Sequence, residues 1–172
     1  PVFNEEAIIT ETIDKIQTVL SSQKFDYEII TVNDGSSDST ESLLKERNDI
    51  ILISTNLGAM KFKFYNKESP INSLNFKKLS NSQFYDKTLF HYVVPKFIIQ
   101  GGDILSRNQN PDDDGHGGPG WVIDADYNDL KHERGTLSMI RTANDESSAG
   151  SQFFISLEDN NTLDGKHTIF AY

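Results

Sequence analysis

Cysteine is absent from this chain of 172 residues, which excludes a disulfide framework, a thiolate nucleophile and any sulfur-ligated metal site. Stability must then come from packing, which fits a cytoplasmic protein, and that is the localisation expected. Basic residues are scarce as well: 16 Lys and Arg against 26 Asp and Glu give a formal net charge of −10. Phosphate contacts are made mostly by Lys and Arg, so this balance argues against a nucleic-acid partner and against an anionic membrane surface. Long apolar runs are missing too. "IILI" at 50–53 falls far short of the roughly 20 residues that span a bilayer. The length fits one ordinary domain or two undersized ones.

What is present divides into two grammars. Asn4 is placed as a helix N-cap ahead of Glu5 and Glu6, and Ile9, Ile13, Ile16 and Leu20 follow at helical spacing. "YEIITV" at 27–32 reads as a strand apolar on both faces. In "NDGSSDST", Asp38 and Glu41 make a capping box, and "DIILIS" at 49–54 reads as a further strand. This alternation predicts right-handed α/β crossovers on a parallel, partly Rossmann-like sheet. Beyond about residue 55 the pattern changes. "MKFKF" at 60–64 puts Met60, Phe62 and Phe64 on one face and two lysines on the other, as in a half-exposed antiparallel strand. Ser69 as cap and Pro70 at the first helical position predict one short helix. From Thr88 onward short apolar runs alternate with Gly, Asn and Asp clusters, as in a β-barrel or sandwich. The expected units are 1–53 and 54–172, a mixed, chimera-like organisation.

The string "PVFNEE", a helical stretch, then "YEIITVNDGSSDST" resembles the start of a family 2 glycosyltransferase, over about the first 50–58 residues. The resemblance implies a nucleotide-sugar pocket in which Asp34 accepts a hydrogen bond from the base and Glu5 lines the wall. A βα turn whose Asp and Ser residues only cap the next helix would look the same. The family's acidic metal motif and catalytic base have no convincing counterpart, since "DADYND" at 124–129 offers an acidic triplet only superficially. Sugar transfer by this chain alone is not expected.

The larger part carries five strings in a fixed order: "LFHYVVPKFIIQGGD", "GHGGPGW", "HERGTLSMIRT", "SAGSQFFISL" and "LDGKHTIFAY". Together they resemble the cyclophilins, peptidyl-prolyl isomerases, over roughly residues 53–172. The resemblance implies a mainly antiparallel β-barrel that is C-terminally truncated, with proline-containing peptides or unfolded protein chains as partners and no cofactor or metal. It places Phe97, Ile98, Met139, Phe154 and Leu163 in an apolar cup. Gln100 and Gln152 would hold the peptide backbone, with His91 and His167 at the rim, and Gly115, Ile140 and Arg141 alongside.

Such a site needs no covalent chemistry. An X–Pro bond prefers trans by only about 0.5–1 kcal/mol but rotates over a barrier of roughly 18–20 kcal/mol, so a grip on the ring and a donor for the twisted amide nitrogen suffice. In the family that donor is an arginine directly after the histidine of "FH"; here the position is Tyr92. A phenol is a single neutral donor, weaker than a guanidinium, so reduced turnover is expected. A non-catalytic proline-peptide module and a nucleotide-sugar-binding fragment stay open as alternatives. The acidic "NPDDDG" lacks alternate-position calcium spacing, and the four histidines lack paired metal spacing.

Overall fold

The computed structural model describes residues 50–172 except Gln109 and Ala143, together with Glu11, Lys15 and Asp38. The chain divides into two compact units, Pro1–Ile50 and Ile51–Tyr172. In the first, Glu11 and Lys15 are helical and pair one turn apart, Nζ to Oε1 2.5 Å, as an exposed i,i+4 ion pair. The expected strand at 27–32, the capping partner Glu41 and the candidate nucleotide contacts Glu5 and Asp34 lie outside the described residues, as does the rest of the Rossmann-like reading.

The second unit is antiparallel β structure with one helix. Strand β1 (Ile50–Thr55) and β2 (Gly58–Lys63) form a two-stranded sheet. Only Asn56 and Leu57 join them, and a link that short permits only an antiparallel hairpin. The 50–55 strand therefore pairs with the chain that follows it, where the sequence pattern suggested a parallel α/β sheet. The hairpin turn is fixed by Thr55, whose Oγ1 donates to Gly58 O at 2.8 Å and accepts from Leu57 N at 3.1 Å. As its alternation predicts, β2 buries Phe62, packs Met60 on the same core and exposes Lys61 and Lys63.

Five more strands follow: β3 (Tyr92–Val94), β4 (Ile98–Gly101), β5 (Leu137–Met139), β6 (Phe153–Ser156) and β7 (Ile169–Ala171). They pair in the order β3-β4-β6-β5-β7. The two sheets meet edge to edge beyond β2: Lys63 N donates to Tyr172 O at 2.7 Å, Tyr172 N returns to Lys63 O at 3.0 Å, and Tyr65 N donates to Phe170 O at 2.8 Å. The antiparallel expectation holds, and the described strands do not close into a barrel. Closure requires the first and last strands of the series to pair, and among the described residues β1 and β3 pair with β2 and β4 alone. One face of this curved array holds the core, built on Leu137, Met139, Phe153, Ile155 and Phe170 with Phe62 and Phe64.

Helix α1 (Pro70–Asn81) covers that core with Phe76, whose ring lies 5.4 Å from Phe153 and 5.1 Å from Phe170. Pro70 does stand in the first helical turn and Ser69 at the N-cap position, but the Ser69 side chain makes no capping bond. Ser69 is fully buried beside β7, and its hydroxyl is spent on Ile169 O. The helix end is satisfied from a distance. Asp126 Oδ2 accepts from Ile71 N at 2.6 Å, Asn72 N at 3.0 Å and Asn72 Nδ2 at 3.1 Å. A carboxylate is well suited there, because it answers both orphan N–H groups and the positive end of the helix dipole. Replacing Asp126→Ala is expected to cost about 1–2 kcal/mol, the usual worth of a cap. Urea unfolding should show a lowered midpoint at unchanged slope, and an unchanged midpoint would refute the assignment.

Candidate functional site

The face of the sheet opposite the core presents a row of different chemistry. Register pairs Tyr92 with Gln100, Gln100 with Phe154, and Phe154 with Ser138. Directly opposed residues in an antiparallel ladder share a face, so these four stand side by side across β3, β4, β6 and β5. Ile98 is on the same face two residues before Gln100. Phe97, half-buried, closes the turn between β3 and β4, where its N–H donates to Val94 O at 3.1 Å and its carbonyl accepts from Leu157 N at 2.8 Å. Phe154 is 1% exposed and Tyr92 52% exposed, so the row runs from a sealed floor to an open edge.

The two glutamines are chained. Gln100 Nε2 donates to Gln152 Oε1 at 2.9 Å, and Gln152 Nε2 spends its two hydrogens on Gly115 O at 2.9 Å and Gly117 O at 2.8 Å. The Gln100 amide nitrogen is thereby committed to Gln152, and its carbonyl oxygen can act only as an acceptor. The glycine loop is in turn held by Asp103, a fully buried carboxylate: Oδ1 accepts from Leu105 N at 2.8 Å and Oδ2 from Gly115 N. Gly117 packs so tightly on Asp103 that a Cβ there would collide with the carboxylate. Gly102, at φ +84°, has its carbonyl held by the Ser151 hydroxyl at 2.7 Å.

Phe154 lies between two imidazoles. His167 meets it edge-on at 5.3 Å between ring centres, and His132 stacks on it at 5.8 Å and 12°. His167 Nδ1 donates to Met139 O at 3.1 Å, which fixes the tautomer and leaves Nε2 as the acceptor. Burial pushes the His167 pKa down; the Met139 carbonyl opposes this, while the positive charge of Arg141 adds to it. Burial likewise lowers the pKa of His132, against the opposing pull of Asp164. For Asp164 burial acts upward, but the N–H groups of His132 and the Lys131 ammonium outweigh it and hold the carboxyl below its ordinary value.

The residues expected in the site are only partly brought together. Gln100, Ile98, Phe154 and Tyr92 share one face, Gln152 is bonded to Gln100, and His167 touches Phe154. Met139 does not join them. It pairs with Phe153, and both point into the core, because side chains one residue apart on a strand face opposite ways. Only its backbone serves the site, through His167. Arg141 donates from Nε to Lys166 O at 2.6 Å and from Nη1 to Thr142 O at 2.9 Å, bracing the segment before His167. Ile140, Arg141, Gln152 and the Gly115–Val122 loop line a side groove of about 540 Å³ that also includes Trp121. Leu163 ends a short helical turn, Asn161–Leu163, half-buried. His91 faces the Gly115 loop, and both its ring nitrogens are buried without a partner. Sequence reasoning passed over Asp103, His132 and Asp164. The signals available were the Asp that ends "QGGD", an acid following two glycines, and the quoted strings "HERGTLSMIRT" and "LDGKHTIFAY", which contain His132 and Asp164.

Known proteins were compared with the chain. The model of the cyclophilin type peptidyl-prolyl cis-trans isomerase/CLD family matches residues 50–172, and that of glycosyl transferase family 2 matches residues 1–62. A peptidyl-prolyl cis-trans isomerase of Synechococcus elongatus is 40% identical over 120 residues, covering 70% of this chain and 77% of that protein. One from Acinetobacter baylyi is 38% identical over 125 residues, covering 73% of this chain, which spans 63% of its length. A crystal structure of a Cryptosporidium parvum cyclophilin type isomerase, determined in the presence of the dipeptide Ala-Pro, superimposes with a TM-score of 0.65. It is 35% identical, over 71% of this chain and 76% of that one.

The two lowered imidazoles set a pH dependence. Below the ordinary histidine value of 6.5 the unfolded chain takes up protons that native His132 and His167 refuse. Their contribution is therefore complete above 6.5 and is lost as pH falls through their lower folded values. The urea midpoint should drop between about pH 7.5 and about pH 5, and drop less in His132→Asn. A midpoint flat over that interval would contradict it.

Proposed function

Because the chain belongs to the cyclophilin-type peptidyl-prolyl cis-trans isomerases, we propose that its second unit grips the proline of an extended peptide and eases rotation about the bond before it, at a rate held down by Tyr92. The observation that carries this reading is the Tyr92–Gln100–Phe154 row, with Gln100 oriented by Gln152. Phe154, Ile98, Phe97, Leu163 and the edge of His167 form the apolar cup. Gln100 accepts a peptide N–H through its outward oxygen, and Ile140 narrows the side groove where the preceding residues lie. The occupants are proline-containing peptides or unfolded chains, and the Ala-Pro dipeptide used with the Cryptosporidium protein supports that class.

Rotation needs no bond made or broken and no bound group. The partial double bond is weakened when the prolyl nitrogen becomes pyramidal, and a donor that meets its lone pair stabilises the twisted state more than either planar one. Tyr92 is the donor next to Gln100, and a phenol gives one neutral hydrogen bond where a guanidinium would give a charged one. Binding and turnover are thereby separated: the cup is complete, and the electrostatic part is weak.

A second reading follows from the same residue, a peptide-binding module without turnover. Sugar transfer is not assigned, because the glycosyltransferase match ends at residue 62 and Asp126, the middle acid of "DADYND", serves as the helix cap. Exchange NMR on a short X–Pro peptide separates the two. Tyr92→Arg is expected to raise the catalysed rate by roughly 10²-fold, the usual worth of one preorganised donor. Measurable exchange in the unmodified chain supports a weakened isomerase; saturable binding with no exchange supports the module. An unchanged baseline rate in both proteins rejects catalysis at this site.

A further inference from the structure

Of the two imidazoles against Phe154, His132 is the one with no part in the peptide contacts described above. It is fully buried, and it is tied to the turn at 160–164 at three points. Its ring Nδ1 and its backbone N–H both donate to Asp164 Oδ1 at 2.9 Å, and its carbonyl accepts from Asn160 N at 2.7 Å. A carboxylate cannot donate, so Nδ1 carries the proton. Nε2 is buried and without a partner. An apolar ring of similar size would fill the slot and stack on Phe154 without leaving that acceptor unsatisfied. The feature an imidazole adds is the bond to Asp164.

We propose that His132 is a positioning residue: it ties the Asn160–Asp164 turn, which carries Leu163, to the ring of Phe154, and so sets the width of the proline cup. Leu163 stands between the two anchored residues of that turn, directly before Asp164. Asn160 is itself engaged, its Oδ1 accepting from Thr162 N at 3.0 Å, so the turn moves as one piece. Lys131 adds a second hold on Asp164, Nζ to Oδ2 3.3 Å, from the residue next to His132. Wall spacing acts on a proline ring in its planar and twisted states alike. Loosening it should therefore weaken binding and leave the chemical step almost unchanged. The inference rests on the proline-peptide reading for the occupant of the cup, not for the geometry.

The test compares the unmodified chain with His132→Phe, which keeps a stacked ring and the two backbone bonds but loses the Nδ1 bond to Asp164, and with His132→Asn, which keeps a side-chain N–H for Asp164. An Ala-Pro peptide is titrated by NMR for Kd, and exchange spectra supply KM and kcat. In His132→Phe, Kd and KM should rise about tenfold with kcat within about twofold; His132→Asn should stay within about threefold of the unmodified Kd. An unchanged Kd in His132→Phe overturns the proposal, as does a fall in kcat at constant KM, the signature of lost folded protein. Should His132→Phe not fold, Asp164→Ala removes the Nδ1 bond from the other side, together with the His132 N–H and Lys131 contacts, and Kd and KM should rise at least as far. If the unmodified chain binds the peptide without turning it over, the isomerase reading fails and Kd still decides this one; if it binds none, both fail.

Discussion

The chained amides of Gln100 and Gln152 depend on one buried carboxylate. Asp103 places a carboxyl group where water is excluded, and such a group persists only where donors replace its hydration. Here the donors are backbone N–H groups of Leu105 and Gly115, so the acid that follows β4 fixes a loop twelve residues further on. That loop returns two carbonyls to Gln152, and Gln152 returns one oxygen to Gln100, the strand neighbour of Phe154. Each amide along this path is oriented by the next link. Gln100 cannot flip its amide without opposing two acceptors across the pair. A neutral side chain thus acquires the fixed polarity that recognition of a peptide backbone requires.

Much of the second unit is legible in the sequence because its signals are local. Alternation in "MKFKF" gives the strand and its buried face, and Pro70 marks the start of the helix. The misreadings share one cause, the need for a partner distant in sequence. Ser69 has the chemistry of a cap, yet it is drawn to Ile169 O a hundred residues away, and Asp126 takes its place. Nothing within either segment announces that exchange. The strand at 50–55 illustrates the same limit: its composition suits a covered parallel sheet, but the two-residue turn after it commits it to a hairpin.

Met139 shows how a one-residue shift separates core from site. It lies between Ser138, which faces the Phe154 row, and Ile140, which lines the side groove, and strand alternation sends it inward against Phe153. Of the candidate residues on the sheet, Gln100 and Phe154 obey a period of two with Ile98, and Met139 breaks it. His132 and Asp164 escaped notice for a different reason. Each lies within one of the quoted strings, but they become a unit only when a turn and an extended segment, 32 residues apart, are brought into contact.

The position of Tyr92 explains how a site can keep its shape while its electrostatics change. It stands on β3, the outermost strand of the five, more than half exposed, and supports neither the core nor the glutamine chain. Substitution there leaves Asp103, Gln152 and the imidazoles around Phe154 undisturbed, because none of their bonds passes through β3. On the proposed reading, donor strength can vary at this edge almost independently of a grip built into β4, β6 and the turn before His167. A catalytic cup and a proline-binding cup would then differ by one side chain on an edge strand, since nothing in the packing penalises either.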